Sequence, residues 1–319
     1  MTPFHAVAEV VVSRPRWIDA AAVRRLLPVA DAVAVLEGTL LAADLTAEPP
    51  RQSVPLASGQ LLVMPSTAGG LGVKIATVSE RAGPGRPRIQ SVYVLFDAAS
   101  LAPAAFIDGT ALTTLRTPAV SALAASRLMP ARIGRLVAFG TGPQAIGHVE
   151  AIAAIRPVHE VVIVGRTGAK AASLAGELAA AGVPARPGTP RAVEDAEVVV
   201  CATTSAGPLF DGRAIGPGCC VIAVGSHEPG KRELDAALLG RSTVIVEDVP
   251  TALREAGDVI AAIAAGALTE GRLTPLADLV AGRLLPDEGH PRVFKSVGMA
   301  WQDLAVAREI YARSTGEES

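Results

Sequence analysis

Residues 135–150 read RLVAFGTGPQAIGHVE. The apolar run Leu136, Val137, Ala138 and Phe139 predicts a buried strand, Gly140, Thr141 and Gly142 a tight turn, and residues 144–155 a helix. That order has the physics of a dinucleotide cradle. Gly140 lets the chain turn sharply, Gly142 puts no side chain in front of a pyrophosphate, and Ala145 lets the helix pack close to the strand. Pro143 suits the first helical position, where its missing N–H would have been unpaired anyway. The free amides and the positive end of the helix dipole, with Gln144 in the first turn, then face the phosphates. A glycine turn between any buried strand and helix looks the same in isolation. The flanking sequence selects between the two readings, because further strand and helix units follow.

Downstream of this stretch, strands are expected over 161–165, 197–202, 219–225 and 243–248, with a helix over 169–181. Such alternation implies right-handed crossovers and a parallel sheet. A helix over 251–264 follows, then a strand-like start and a final amphipathic helix within 292–314. Upstream the pattern is different. Val23, Leu26, Leu27, Ala30, Val33 and Leu36 recur at helical spacing, so 18–45 reads as one or two helices ending before Pro49 and Pro50. Residues 60–65, 71–78 and 89–96 read as strands separated by Gly and Pro turns, a mostly antiparallel sheet. Residues 1–17 alternate like a short strand, and 79–87, SERAGPGRP, have loop composition. A helix over 113–128 is expected to start with Thr117 as N-cap and Pro118 at its first position. The fold class is therefore α/β, a Rossmann-type parallel-sheet domain joined to an α+β domain.

The bulk numbers exclude several functions. A chain of 319 residues suits two domains. Half its residues are hydrophobic, but no apolar run approaches the ~20 residues that cross a bilayer. The N-terminus lacks the basic and apolar segments of an export signal, so a cytoplasmic protein is expected. Lys and Arg total 29 against 31 Asp and Glu, which leaves no basic excess for nucleic acid. Cys201, Cys219 and Cys220 offer neither a disulfide framework nor a CxxC pair, and five histidines without HExxH offer no metal site.

The second strand of a dinucleotide fold usually ends in an acidic residue that binds the ribose hydroxyl of NAD. Here the segment is VVIVGRT, with Arg166 and Thr167 at that place and Lys170 four residues beyond Arg166. A guanidinium has the fork geometry for a phosphate, and no carboxylate beside it repels one, so NADP(H) is favoured over NAD(H). The alternative is a solvated loop arginine. Thr203, in the segment CATT, closes another strand at the edge where open sheets bind ligands.

The chain resembles the ornithine cyclodeaminase and mu-crystallin family along nearly its whole length. The matching segments are PR at 50–51, MP at 64–65, LGVKIAT at 71–77, LTTLRTPAVSALAA at 112–125, GTGPQAIGHVEAI at 140–152, VGRT at 164–167, CATTS at 201–205, VGSHEPGKRELD at 224–235 and FKSVGMAWQDLA at 294–305. The resemblance implies a homodimer. Residues 1–115, completed by 296–319, would form the substrate and dimer domain, and 116–295 the nucleotide domain. It also implies that Arg51, Lys74 and Arg116 hold a substrate carboxylate, and three converging cations suit an α-amino or α-imino acid. Val224 and Ser296 lie in family segments and join the expected cofactor contacts. Lys74 is in addition a candidate proton donor, since burial beside arginines lowers a lysine's pKa.

One position departs from the cyclodeaminases. Where they carry an aspartate that engages the side-chain amine of ornithine, this chain has His227, which supplies no fixed negative charge. With its near-neutral pKa, His227 either donates a proton or fills the pocket. Asp303 either orients a basic residue or pairs locally on its helix. Arg88 stands where relatives often carry a small hydroxyl residue. The expectation is an NADPH-dependent reductase of a small cyclic imino acid, pyrroline-2-carboxylate or piperideine-2-carboxylate. The alternatives are an amino-acid cyclodeaminase, an alanine-type dehydrogenase, or an NADPH-linked small-molecule binder.

Overall fold

A computed structural model describes residues 14–79, 87–284, 287 and 289–316. The strand expected in 1–17 and the loop expected in 79–87 fall largely outside the described residues. The first unit runs β1 (Arg16–Ile18), α1 (Ala20–Leu26), α2 (Val29–Ala42), β2 (Gln52–Leu56), β3 (Gly59–Ser66), β4 (Leu71–Ser79), β5 (Ile89–Phe96) and β6 (Pro103–Asp108). Its sheet has the order β1-β6-β5-β4-β3-β2, antiparallel except for the β1/β6 pair. The strict alternation in β4, with Lys74, Ala76 and Val78 buried and Ile75 and Thr77 exposed, places one face inward and one outward.

The long helix α3 (Gly109–Ser126) leads to the second unit, and the expected boundary at 115/116 falls inside it. Its start corrects the sequence reading. The N-cap is Asp108, whose side chain accepts from the Ala111 N–H at 2.8 Å, and Pro118 lies inside the helix. The proline removes one backbone bond. Close packing offsets that loss, since Ala119, Val120, Ala122, Leu123, Ala124 and Ala125 are all fully buried. Local preference for proline at a helix start gives way to tertiary burial.

The second unit contains β7 (Ile133–Phe139), α4 (Pro143–Ile155), β8 (Val158–Val164), α5 (Gly168–Ala180), β9 (Ala185–Pro187), β10 (Val198–Cys201), β11 (Cys220–Ala223), α6 (Ala236–Gly240) and β12 (Thr243–Val246). It continues through α7 (Val249–Glu255), α8 (Gly257–Ala264), β13 (Leu273–Pro275), α9 (Leu276–Val280) and β14 (Arg292–Lys295) to the final helix α10 (Ala300–Gly316). The single helix expected over 251–264 is two, broken at Ala256, so that Asp258 can accept from the N–H groups of Glu233 and Leu234.

All eight strands are parallel, in the order β13-β12-β14-β11-β10-β7-β8-β9. The chain winds outward in one direction through β8 and β9 and in the other through β10 and β11, so the order reverses between β7 and β10. Open α/β sheets bind ligands at that switch point. The core on one face of this sheet is continuous with the packing of α2, α3 and α10 against the first sheet, through Tyr93, Leu112, Leu123 and Leu304. Among the described residues no helix is long and apolar enough to cross a membrane, and no cluster of His, Cys, Asp or Glu could hold a metal.

Candidate active site

The glycine turn lies at the switch point. Gly140 has φ +121°, a conformation that side chains other than glycine's resist, and a Cβ there would come within 2.5 Å of the Ala202 carbonyl at the end of β10. Gly142 caps α4 with no side-chain bond, and a Cβ on it would meet nothing within 4 Å. Pro143 is the first residue of α4 and Ala145 is buried against the strand, as the sequence implies. Thr141 flanks the turn, its Cγ2 3.0 Å from where a Cβ on Gly165 would lie. The open cradle, the uncapped helix start and the buried, unpartnered Oε1 of Gln144 together fit a dinucleotide. Arg166, Thr167 and Lys170 are exposed where β8 meets α5. Thr203, expected at the cofactor edge, directs both its N–H and its hydroxyl to Glu233, each at 2.7 Å.

Beside this cradle a cleft with about 690 Å³ of empty volume, open to solvent, opens between the two sheets. It brings together Arg51, Lys74, Arg116, Gln144, Val224, His227 and Ser296, which are scattered over most of the chain. β4 supplies Lys74, and Ala76 and Val78 from the same face continue the floor with Leu62 and Met64 of β3. α3 supplies Thr113, Arg116 and Thr117. The segment between β14 and α10 supplies Ser296, Val297 and Gly298.

The cations are held from behind by carboxylates that do not line the cleft. Lys74 is 3% exposed and donates to Asp303 Oδ2 at 2.7 Å and to Thr113 Oγ1 at 3.3 Å. Arg116, 5% exposed, donates through Nε to Asp303 Oδ1 at 3.1 Å and through Nη1 to Gln302 at 2.9 Å. Asp303 is therefore the orienting group of the two readings, reached from the first turn of α10. Arg51 donates to the carbonyls of Val297 and Gly298, each at 2.8 Å, and pairs with Glu255 at 2.7 Å. Gly298 has φ +80°, and a Cβ there would press to 2.7 Å on Arg116 Nη1, so both backbone angle and space require glycine.

Burial drives the Lys74 ammonium down to about 8, with Asp303 opposing the fall and Arg116 and Arg51 adding to it. Asp303 stays below the ordinary carboxylate value although burial works to raise it, because Arg116 and Lys74 flank it. Of the two readings of His227, the surroundings of the side chain favour the pocket residue over the proton donor. Burial, aided by repulsion from Arg51, lowers its pKa to about 4, so it is a neutral imidazole at neutral pH and carries no standing proton to give. Its nearest carboxylate, Glu228, is 3.9 Å away. Arg88 lies at the neighbouring rim with Glu228 and Lys231.

Sequence reasoning missed the supporting layer. Glu247 accepts from the Ser296 hydroxyl, the N–H groups of Val297 and Gly298, and Gln302 Nε2, at 2.6 to 3.0 Å. Lys295 pairs with Asp258 at 3.0 Å and donates to the Ser226 carbonyl at 2.6 Å. Glu233 receives Thr203 and the Gly225 N–H. These groups fix the strand ends that carry Val224, His227 and Ser296. One signal was available: Glu247 and Lys295 each close an apolar strand, where a charge demands a buried partner.

A profile of the ornithine cyclodeaminase/mu-crystallin family matches residues 17–318. The Δ1-pyrroline-2-carboxylate reductase of Bacillus thuringiensis subsp. konkukian (strain 97-27) is 33% identical over 285 residues, 85% of this chain and 87% of that protein. The ketimine reductase mu-crystallin of Mus musculus is 32% identical over 270 residues, 83% of this chain and 84% of its own. Among solved structures, Thermococcus litoralis Δ1-pyrroline-2-carboxylate reductase in complex with NADH and L-proline superimposes with a TM-score of 0.90 at 25% identity, covering 95% of this chain and 98% of that one.

Proposed function

The chain belongs to the ornithine cyclodeaminase/mu-crystallin family, and from that premise we propose that it is an NADPH-dependent reductase of a small cyclic imino acid, converting pyrroline-2-carboxylate or piperideine-2-carboxylate to proline or pipecolate. It is an oxidoreductase acting on a C=N bond, as are the reductases it resembles over more than four-fifths of its length. The observation that carries the finer reading is the ionic character of the cleft. Its lining holds three cations and a neutral histidine and, among the described residues, no carboxylate. An amino or imino acid carboxylate is matched there, whereas the side-chain ammonium of a diamino acid is not. That supports reduction over deamination.

Arg51, Lys74 and Arg116 bind and orient the substrate carboxylate in a cleft that Gln144 and Val224 also line. A bound reduced nicotinamide supplies the hydride. Lys74 keeps a proton on the imine nitrogen, so that as hydride adds to the carbon the C=N π pair becomes the amine lone pair. Solvent then restores the lysine proton. His227, uncharged, shapes the pocket wall. Arg166, with Lys170 nearby, is the group for a 2′-phosphate, exposed and with no carboxylate beside it in the segment VGRTGAK. The apolar outer face of the first sheet supports a homodimer.

The test is nicotinamide absorbance with purified protein, NADPH and either imine, run beside NADH and beside ornithine with NAD. We expect NADPH loss in proportion to imine. Arg166→Ala should raise the KM for NADPH by about 10- to 100-fold and leave NADH use unchanged, as for loss of a charge-assisted bond. Equal or better use of NADH by the unaltered protein would overturn the cofactor assignment. Ammonia and proline from ornithine would overturn the reductase.

A further inference from the structure

We infer that Asp303 is a positioning residue for the reaction, its two carboxylate oxygens fixing Lys74 and Arg116 side by side and holding Lys74 in the charged form that faces the imino acid. Asp303 is fully buried and does not line the cleft, so it acts through its partners and touches no substrate. Oδ2 takes Lys74 Nζ at 2.7 Å and Oδ1 takes Arg116 Nε at 3.1 Å. One carboxylate thus sets the spacing of two cations that come from different elements, β4 and α3. α10 delivers Asp303 from the far end of the chain, and the adjacent Gln302 joins Arg116 to Glu247. The same first turn therefore registers both sheets against each other at the cleft.

The charges around Lys74 make this carboxylate decisive. On its own sheet its cross-strand partner is Tyr93, a buried phenol whose pKa is raised by desolvation and by Asp303, and which is neutral. α3 presents Arg116, and Arg51 adds further positive charge. Glu255 and Glu247 act on Arg51, and His227 is uncharged. Among the largest influences on Lys74, Asp303 is the one that raises its proton affinity, against desolvation and two arginines. With it removed, Lys74 would lose its proton near neutral pH, and Lys74 and Arg116 would lose the anchor they share.

The chain has four lysines, Lys74, Lys170, Lys231 and Lys295, so the Cε resonances of protein labelled with ¹³C-lysine report each titration, and Lys74→Met assigns the relevant signal. In the unaltered protein Lys74 should titrate near about 8. In Asp303→Asn the midpoint should fall by about 1 to 3 pH units, the usual effect of a close opposite charge. The alkaline limb of kcat/KM for the imine should move down with it. Asp303→Glu keeps the charge but displaces it by a methylene. It should leave the midpoint within about half a unit, well inside the effect of a full charge loss, while raising KM for the imino acid more than it lowers kcat. An unchanged midpoint in folded Asp303→Asn overturns the inference. If that variant does not fold, Asp303→Glu with unaltered KM overturns it. The kinetic arms rest on the proposed reduction, whereas the resonance titration does not, so a protein that reduced neither imine would still decide the role of Asp303.

Discussion

Arg51 makes three contacts with the protein itself, to the Val297 and Gly298 carbonyls and to Glu255, and still lines the cleft. A planar fork can hold two carbonyls and a carboxylate and keep an edge for a ligand, whereas an ammonium on a flexible stem cannot. Arg51→Lys is therefore expected to raise KM for the imino acid about 10- to 100-fold, the loss of one charge-assisted hydrogen bond, with kcat changed far less. Steady-state kinetics read the split. A fall in kcat at constant KM would instead place Arg51 in transition-state stabilisation. At this scale the sequence carried much of the site, because Lys74 in the apolar run LGVKIAT and Arg116 in LTTLRT are charges in places where charge needs a reason. It did not carry the protonation of His227. That depends on burial and on Arg51, a neighbour in space that lies far away in the chain.

Helices α3 and α4 are joined by a polar contact inside an apolar interface. His148 of α4 is fully buried, its Nδ1 2.7 Å from the Gln144 carbonyl and its Nε2 2.9 Å from Ser121 Oγ of α3. Burial lowers its pKa from 6.5 to about 4. The folded protein thus keeps His148 neutral where the unfolded chain has begun to protonate, so stability is complete above 6.5 and is lost as pH falls toward 4. By about pH 5 the loss from this one residue is ~2 kcal/mol. Denaturant unfolding at neutral and mildly acid pH should show His148→Gln less stable at neutral pH but with a smaller acid-induced loss than the unaltered protein, the remainder coming from His227 and from carboxylates that folding holds below their usual range. An unchanged acid loss would show that His148 is charged or solvated in the native state. Element by element, β3, β4 and β5 were legible because a sheet buried on one face must alternate, and the parallel strands because they are apolar throughout. β2 was missed, as an exposed edge strand containing Pro55, and so were the three-residue β9 and β13, which owe their geometry to the strand beside them. The start of α3 was misread because Pro118 signals a helix start locally, and only the folded packing shows why it is tolerated mid-helix.

Across the whole molecule, the two patterning regimes of the sequence correspond to the two sheets, and the cleft lies at their junction, where no local pattern could locate it. The first sheet has a second face. Register places Val54 beside Leu61, Val63 beside Ile75 and Val92, and Val73 beside Val94, Phe106 and Trp17, all on the side away from Lys74. Trp17 is 61% exposed, Val54 46% and Ile75 38%. A contiguous apolar face of this kind marks an association surface, and in the proposed homodimer two copies cover it for each other. The unaltered protein should elute at twice the chain mass in size exclusion with light scattering. Ile75→Glu should elute as a monomer, because a carboxylate without a partner at a buried interface costs several kcal/mol on each side. Leu41→Glu, an exposed site on α2, should leave the dimer intact. Monomeric unaltered protein at micromolar concentration would overturn the assignment. Ile75 and Lys74 are consecutive and point to opposite faces of β4, so the dimer contact backs the strand that presents the lysine. Monomeric Ile75→Glu should therefore bind the imino acid more weakly while its KM for the nicotinamide cofactor, held by the other sheet, stays close to that of the unaltered protein.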